Sequence, residues 1–370
     1  MRLLRLYIVD SGVFDKTLID FTNDGQPQDL ICLSGVNGTG KTTIMDLVSN
    51  LIALLSNKLN PLLGFNSQKP NILTLTEFAQ LDILIKGKVF SIVFGDKRYI
   101  QKDKNNKQTL LIDKEVKDIY IKIEKSLKLE RNSNYNLINV LADDNNSLVF
   151  RSEYSGRNKQ FKNEEILSKL FDNIKNKVSK QVNRDDLSYL PLLYYFTTIE
   201  RQILDINYSN IPKYQFEYNI AHTYDPKKED LNGLFVYYDY AYPKEFENLK
   251  KWINNSVLTD KKLERIDRPE FKTLIKTKDG AEHGLELLSS GEKNLLIIAV
   301  QLYLKASQNT VFLIDEIDNN LHPEFQEKLM KIVKDIQKRF DCQIIASSHS
   351  RYIWNHFKDE QIIRLTELIK

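Results

Sequence analysis

Eight residues, G-V-N-G-T-G-K-T from Gly35 to Thr42, constrain this chain more than any other stretch. They fit the spacing G-x-x-x-x-G-K-[ST], and their flanks agree with it: Asp29 to Ser34 alternates like a strand, while Thr42 to Leu55 repeats its apolar residues at helical spacing. A strand that turns through glycines into a helix N-terminus aims successive backbone N–H groups at one spot, and that spot suits phosphate oxygens. Gly35, Gly38 and Gly40 let the backbone come close, with Asn37 in the turn. Lys41 reaches the β and γ phosphates of a nucleotide, Thr42 offers its hydroxyl to Mg²⁺, and Thr43 adds a contact from the first turn of the helix.

Composition narrows the setting without choosing a partner. The 370 residues suffice for about two domains, or one large core with an insertion. The apolar share of 42% and charged share of 28% are those of an ordinary globular chain, and a net charge of +3 argues for no polyanionic partner. Asp10 interrupts the first apolar run before it reaches signal-peptide length, and no stretch approaches 18 apolar residues, so we expect a soluble, cytoplasmic protein with no membrane partner. Cys32 and Cys342 sit in apolar, strand-like segments with no C-x-x-C or histidine cluster nearby, and are expected as reduced core residues.

Around the glycine loop the periodicity predicts strands at Leu3–Val9, Thr17–Phe21 and Asp29–Ser34, then an antiparallel meander over Phe78–Ile85, Lys88–Phe94 and Lys97–Gln101. The Lys/Asn-rich stretch Asp103–Gln108 reads as a hairpin tip. From about residue 126 to 275 the chain is richer in Asn, Lys and Tyr, with helical patterns at Ile166, Leu170, Ile174, Val178 and at Phe246, Leu249, Trp252, Ile253. We read this as an insertion in which 188–203, around the apolar run Leu190–Thr198, can return to the core as a strand. From 276 onward helix (Gly291–Ala306), strand (Val311–Asp315), helix (Pro323–Phe340), strand (Gln343–Ser347) and strand (Gln361–Leu365) alternate as in a doubly wound parallel sheet.

Three further motifs carry chemistry. Val311 to Ile314 lead into Asp315 and Glu316, placing two carboxylates at the carboxyl end of a buried strand, where such sheets bind ligands. Asp315 would hold Mg²⁺, and Glu316 would polarise the attacking water. The segment L-S-S-G-E-K, Leu288 to Lys293, opens a helix that is apolar almost all round; its free N–H groups and hydroxyls suit an anion and equally suit capping. Ile344 to Ser348 lead to His349, at the sheet edge that also carries Asp315.

In this order the four motifs resemble those of ABC-type ATPases. The resemblance implies ATP with Mg²⁺ as ligands, a homodimer or higher oligomer closed through ATP, and Ser289 and Gly291 contacting the γ-phosphate bound by the opposite subunit, with His349 in the place of the family's switch histidine. Lys41 and Ser289 lie about 250 residues apart, farther than in compact transporter-type subunits. The opening LYIVDSGVFDKTLIDF, the run I-D-E-I-D-N-N-L-H-P-E-F-Q (Ile314 to Gln326) and S-S-H-S near the end resemble the RecF-like, SMC-like and OLD-type branch, over roughly 1 to 100 and 280 to 370.

What the resemblance implies is an α/β, ABC-type P-loop core, a mixed sheet with a parallel doubly wound part, split by a mainly helical insertion. The expected units are 1–125 and 276–370 for the ATPase core and 126–275 for the insertion. The chain ends at Lys370 just after the last core strand, so a nuclease partner, common in anti-phage systems of this branch, is expected as a separate effector chain, with DNA as another possible partner. Alternatives are a RecF-like repair ATPase, a transporter-type subunit and a nucleotide-gated module that does not hydrolyse. The family's glutamine loop has no unambiguous counterpart here: Gln80 and Gln202 are both candidates, Gln202, beside Arg201 and after the strand Leu192–Phe196, being the better placed, and a third reading has neither of them touch nucleotide.

Overall fold

A computed structural model defines residues 1–56, 72–95, 100–102, 108–110, 135–142, 148–152, 172–174, 176–182, 184–198, 201–212 and 216–369. Its main strands are, in chain order, β1 (Arg2–Ser11), β2 (Phe14–Asp20), β3 (Leu30–Ser34), β4 (Thr76–Ile85), β5 (Lys88–Gly95), β6 (Tyr135–Ala142), β7 (Leu148–Ser152), β8 (Leu192–Phe196), β9 (Ala221–Thr223), β10 (Lys261–Asp267), β11 (Lys272–Thr277), β12 (Glu282–Gly284), β13 (Thr310–Ile314), β14 (Gln343–Ser348) and β15 (Ile362–Arg364). The main helices are α1 (Lys41–Ala53), α2 (Leu231–Ala241), α3 (Pro243–Ser256), α4 (Ser290–Lys305) and α5 (Pro323–Phe340).

Two six-stranded sheets organise these elements. In the sheet ordered β9-β8-β13-β14-β3-β15 every neighbouring pair is parallel. Parallel sheets are covered on both faces and read as continuous apolar runs. The sequences LICLS, TVFLI and QIIASS, all fully buried, have that character. The second sheet, ordered β7-β6-β5-β4-β1-β2, is antiparallel except where β6 lies parallel to β5. The expected strands around the loop and the alternation after 276 are therefore present.

Helix α1 contacts β4 and β5 of the mixed sheet as well as β8 and β9 of the parallel one. That placement explains why Ile44, Met45, Leu47, Val48, Leu51 and Ile52 bury several sides of the helix rather than a single stripe. The sheets are also joined at one end by Gln343 of β14, whose Oε1 accepts from Leu3 N at 2.6 Å while its Nε2 donates to Leu3 O at 3.2 Å and Gln28 O at 2.7 Å. Cys32 and Cys342 are buried free thiols, and burial raises both to about 12.

Among its described residues the stretch 126–275, expected as a mainly helical insertion, carries more strand than that, and several of those strands join the sheets of the core. Strands β6 and β7 extend the mixed sheet, and β8 and β9 extend the parallel one. The strand expected within 188–203 is β8, between β9 and β13. Short strands such as YNLINVLA and LVFRS lie among Asn- and Lys-rich flanks, which dilute a period-two signal. Helices α2 and α3 do follow, packed on β10 and β11 of a small antiparallel sheet completed by β12. Of the first helical pattern, Ile174 and Val178 are buried, while Ile166 and Leu170 lie outside the described residues. The expected strand Lys97–Gln101 is described only from Ile100, where Ile100–Lys102 pairs with Gln108–Leu110; Asp103 to Lys107 lie outside the described residues. No helix among the described residues is long and apolar enough to cross a membrane.

Helix α4 is buried almost all round and held near both ends. At its first turn Lys261 of β10 donates to both carboxylate oxygens of Glu292, at 2.7 and 2.8 Å. At its last turn Lys305 lies 3.5 Å over the Phe216 ring, in the field of the buried Glu229. Glu229 in turn accepts from Tyr194 of β8 at 2.8 Å and meets His222 of β9 at 2.5 Å.

Candidate nucleotide site

The glycine loop joins β3 to α1 and keeps the conformation its sequence demands. Gly40, at the N-cap of α1, has φ +85°, and a Cβ there would stand 2.5 Å from the Phe14 ring, so conformation and space both require glycine. Asn37 and Gly38 are exposed at the tip, Gly35 packs against the Thr39 side chain, and Thr43 faces the turn at Gly12. Lys41 is only 5% exposed, and its Nζ donates to Gly35 O (2.8 Å) and Val36 O (3.0 Å) and lies 3.3 Å from His349 Nδ1. Burial pulls the Lys41 pKa down, and the carboxylates of Asp315, Glu316 and Asp318 oppose that pull.

The other groups arrive from the carboxyl ends of neighbouring parallel strands. Asp315 follows β13 and is 1% exposed; its Oδ2 accepts from Thr42 Oγ1 at 2.7 Å and Thr198 Oγ1 at 3.1 Å, and its Oδ1 accepts from Ser347 Oγ at 2.6 Å. Glu316 takes the left-handed φ of +46°, uncommon outside glycine and costing about 1–2 kcal/mol. Four contacts hold that residue: Glu316 N donates to Ser347 Oγ at 2.7 Å, Asn319 N donates to Glu316 O at 2.9 Å, and the buried Arg201 donates through Nη2 to Asp315 O (2.8 Å) and Glu316 O (3.0 Å). Burial lowers the Arg201 pKa to about 10, still far above neutrality, so the clamp stays charged. His349 Nε2 lies 3.6 Å from Glu316 Oε1, so the imidazole stands between the carboxylate and Lys41.

Lys41, Thr42, Asp315, Glu316 and His349, read from separate motifs, thus converge at one sheet edge. Ser289 and Gly291 do not join them within the chain. Ser289 is the N-cap of α4 in a full capping box, accepting from Glu292 N at 3.2 Å while its own N donates to Glu292 Oε2 at 2.8 Å. Gly291 is buried where a Cβ would meet Asn320 O at 3.1 Å. Of the two glutamine candidates Gln202 is exposed, and Thr198 and Arg201 nearby in the chain reach Asp315. Gln80 is buried in β4 and donates to Asp82 Oδ1 at 2.8 Å, beside the buried Arg5–Asp82 pair. Ser347, Thr198 and Arg201 went unread because their roles come from which strands lie side by side; S-S-H-S drew notice as a motif, with no role for its second serine.

The residues fit a Mg²⁺-nucleotide. Among the described residues Nζ of Lys41 donates to two neutral backbone carbonyls of the loop, with His349 beside it, and has no carboxylate hydrogen bonded to it, which leaves its charge for an anion. Among the described residues no group of three or more His, Cys, Asp or Glu could hold a metal alone. A single carboxylate with a threonine hydroxyl is the kind of partial set that Mg²⁺ completes with phosphates and water.

Loop, strand carboxylates and parallel sheet together define a P-loop nucleotide-binding core of the α/β class. The chain matches the family described as AAA ATPase domain over residues 1–354 and belongs to that family. No curated protein matches it. Among solved structures it is similar to the SMC head domain from Thermotoga maritima, at 15% identity over 96% of this chain and 92% of that one, with a TM-score of 0.41. It is also similar to an Smc head with an extended coiled coil from Pyrococcus furiosus, bound to the C-terminal domain of ScpA, at 13% identity over 96% and 91% of the two chains, with a TM-score of 0.36. Likenesses this distant carry no functional argument, and the fold stands on its own strand order.

Proposed function

We propose that this chain binds ATP with Mg²⁺, closes into a dimer around it and hydrolyses it, and that closure acts on DNA or on a separate effector such as a nuclease, as in anti-phage defence. The observation that carries the catalytic part is the hydrogen bond from Thr42 to Asp315 at one side, and the line Lys41–His349–Glu316 beside it. Lys41 binds the β and γ phosphates, and Thr42 and Asp315 hold the metal. Bound Mg²⁺ supplies neutralisation of phosphate charge. Glu316 accepts a proton from the attacking water, and His349 orients that carboxylate relative to Lys41.

Dimer closure draws support from exposure at the two motifs that would meet. Val36 in the loop is 66% exposed and Leu287, just before Ser289, is 68% exposed, apolar surface that suits burial against a second copy. Ser289 and Gly291 would then present the N-terminus of α4 to the γ-phosphate held by the partner. The test is Glu316→Gln with and without Mg-ATP, followed by mass measurement and by identification of what co-purifies from the native host. The variant is expected to retain ATP as a dimer while the wild type releases phosphate. A variant that stays monomeric at saturating ATP sinks the dimer reading, and no phosphate release by the wild type sinks hydrolysis. Recovery of DNA or a soluble nuclease supports the downstream role, and recovery of an integral membrane protein overturns it.

A further inference from the structure

The geometry points to Thr198 as a Mg²⁺-site residue, doing with a hydroxyl at the end of β8 what a glutamine side chain was expected to do from position 202. The inference rests on the nucleotide reading above and goes further by assigning one oxygen of the metal site.

Its basis is a contact just past the end of two paired parallel strands. Phe196 of β8 pairs with Ile314 of β13, and Asp315 N donates to Phe196 O at 3.0 Å, so the backbone hydrogen bonding runs on to the carboxylate residue itself. Beyond Phe196 the strand ends and the chain bends at Thr198. From that bend Thr198 Oγ1 donates to Asp315 Oδ2 at 3.1 Å. Oδ2 is the oxygen to which Thr42 donates at 2.7 Å. Two hydroxyls from opposite sides of the site thus converge on one carboxylate oxygen. A hydroxyl that spends its proton on a carboxylate keeps its lone pairs for a cation, and hard oxygen donors of this kind suit Mg²⁺ or the waters it retains.

Arg201, also near the site, is 8% exposed and donates to the carbonyls of Asp315 and Glu316. Adjacent Thr197 ends in a buried hydroxyl with no hydrogen-bond partner among the described residues and supplies a near-isosteric control one residue away.

The test uses the full chain in the Glu316→Gln background to suppress turnover, with Mn²⁺ replacing Mg²⁺ and its retention with ATP read from the free-ion paramagnetic resonance signal. Thr198→Val is expected to weaken Mn²⁺ retention about tenfold, the size of loss seen when a supporting group is removed from a metal site. Thr198→Ser, Thr197→Val and Gln202→Ala are expected to stay within about twofold of the parent on the same scale. ATP affinity in EDTA, read by fluorescent-analogue binding, is expected to be the same in all of them. Retention by Thr198→Val within twofold of the parent overturns the assignment, as does a Thr198→Ser variant as impaired as the valine, which would mean that packing matters and the hydroxyl does not. If Gln202→Ala shows the loss instead, the role returns to the glutamine. A parent that binds no ATP at all overturns the nucleotide reading as well, so the two failures are distinguishable.

Discussion

Ser347→Ala removes a single oxygen from the centre of the site. That hydroxyl is fully buried, donates to Asp315 Oδ1 at 2.6 Å and accepts from Glu316 N at 2.7 Å. A hydrogen bond to a charged group contributes about 1.5–3 kcal/mol, and a buried N–H left without an acceptor costs about 1–3 kcal/mol. Both losses fall on one atom and do not add in full, so we expect destabilisation of about 3 kcal/mol. Asp315 keeps its two threonine donors, whereas the strained Glu316 peptide keeps Arg201 and Asn319 N on its carbonyl but loses the acceptor of its N–H. Relief of the left-handed φ of +46° then swings the Glu316 carboxylate out of line. A displacement of about 1 Å can cost about a hundredfold in rate, so turnover should fall by that order. ATP affinity should change less than about threefold, because the loop and Lys41 stand on β3 and α1, and each threefold step is only about 0.65 kcal/mol. Urea unfolding gives the first quantity, phosphate release and equilibrium ATP binding the others. A variant with wild-type turnover and stability within about 0.5 kcal/mol, the spread of an ordinary neutral change, would refute the reasoning.

Gly40→Ala should lose nucleotide binding by at least tenfold, since the left-handed φ costs about 1–2 kcal/mol and the methyl meets the Phe14 ring; wild-type binding of a fluorescent ATP analogue would count against the loop geometry. Gln343→Leu leaves Leu3 N, Leu3 O and Gln28 O without their side-chain partner and should cost about 2–4 kcal/mol in a denaturant melt; an unchanged midpoint would show that the join between sheets is dispensable. Lys305 titrates at about 8 because burial lowers its pKa, with Glu229 raising it. An unfolded lysine titrates near about 10.4, so between those values the unfolded chain binds more protons and stability rises with pH. The full cost of the buried charge is present below about pH 8 and is relieved above it. Wild type should therefore gain on Lys305→Met by up to about 3 kcal/mol between about pH 7.5 and 10.5; a difference that stays flat across paired urea melts contradicts this.

The parts of the site written in consecutive residues were legible. Gly35 to Thr42 and the strand ending in Asp315 and Glu316 carry their own spacing, and strand, loop and helix followed from periodicity. Ser347 and Thr198 act through lateral neighbours, β14 and β8 beside β13, and strand adjacency leaves no mark on local sequence. Arg201 was noticed as a neighbour of Gln202, yet its target is two backbone carbonyls, which no motif records. Ser289 suits both an anion and a cap, and within one chain it is the N-cap of a capping box with Glu292. The strands of 126–275 were obscured because polar flanks average away a two-residue period.

The grips on α4 bear on timing. A helix packed on nearly every side, with Lys261 at its first turn and Lys305 at its last, has no slack to slide or fray alone. Displacing Ser289 must carry the small antiparallel sheet at one end and the β8–β9 side of the parallel sheet at the other. If the proposed closure moves Ser289, the body that moves would be that whole block, and its clock would be that of domain rotation, microseconds to milliseconds, where an untethered loop would respond in nanoseconds.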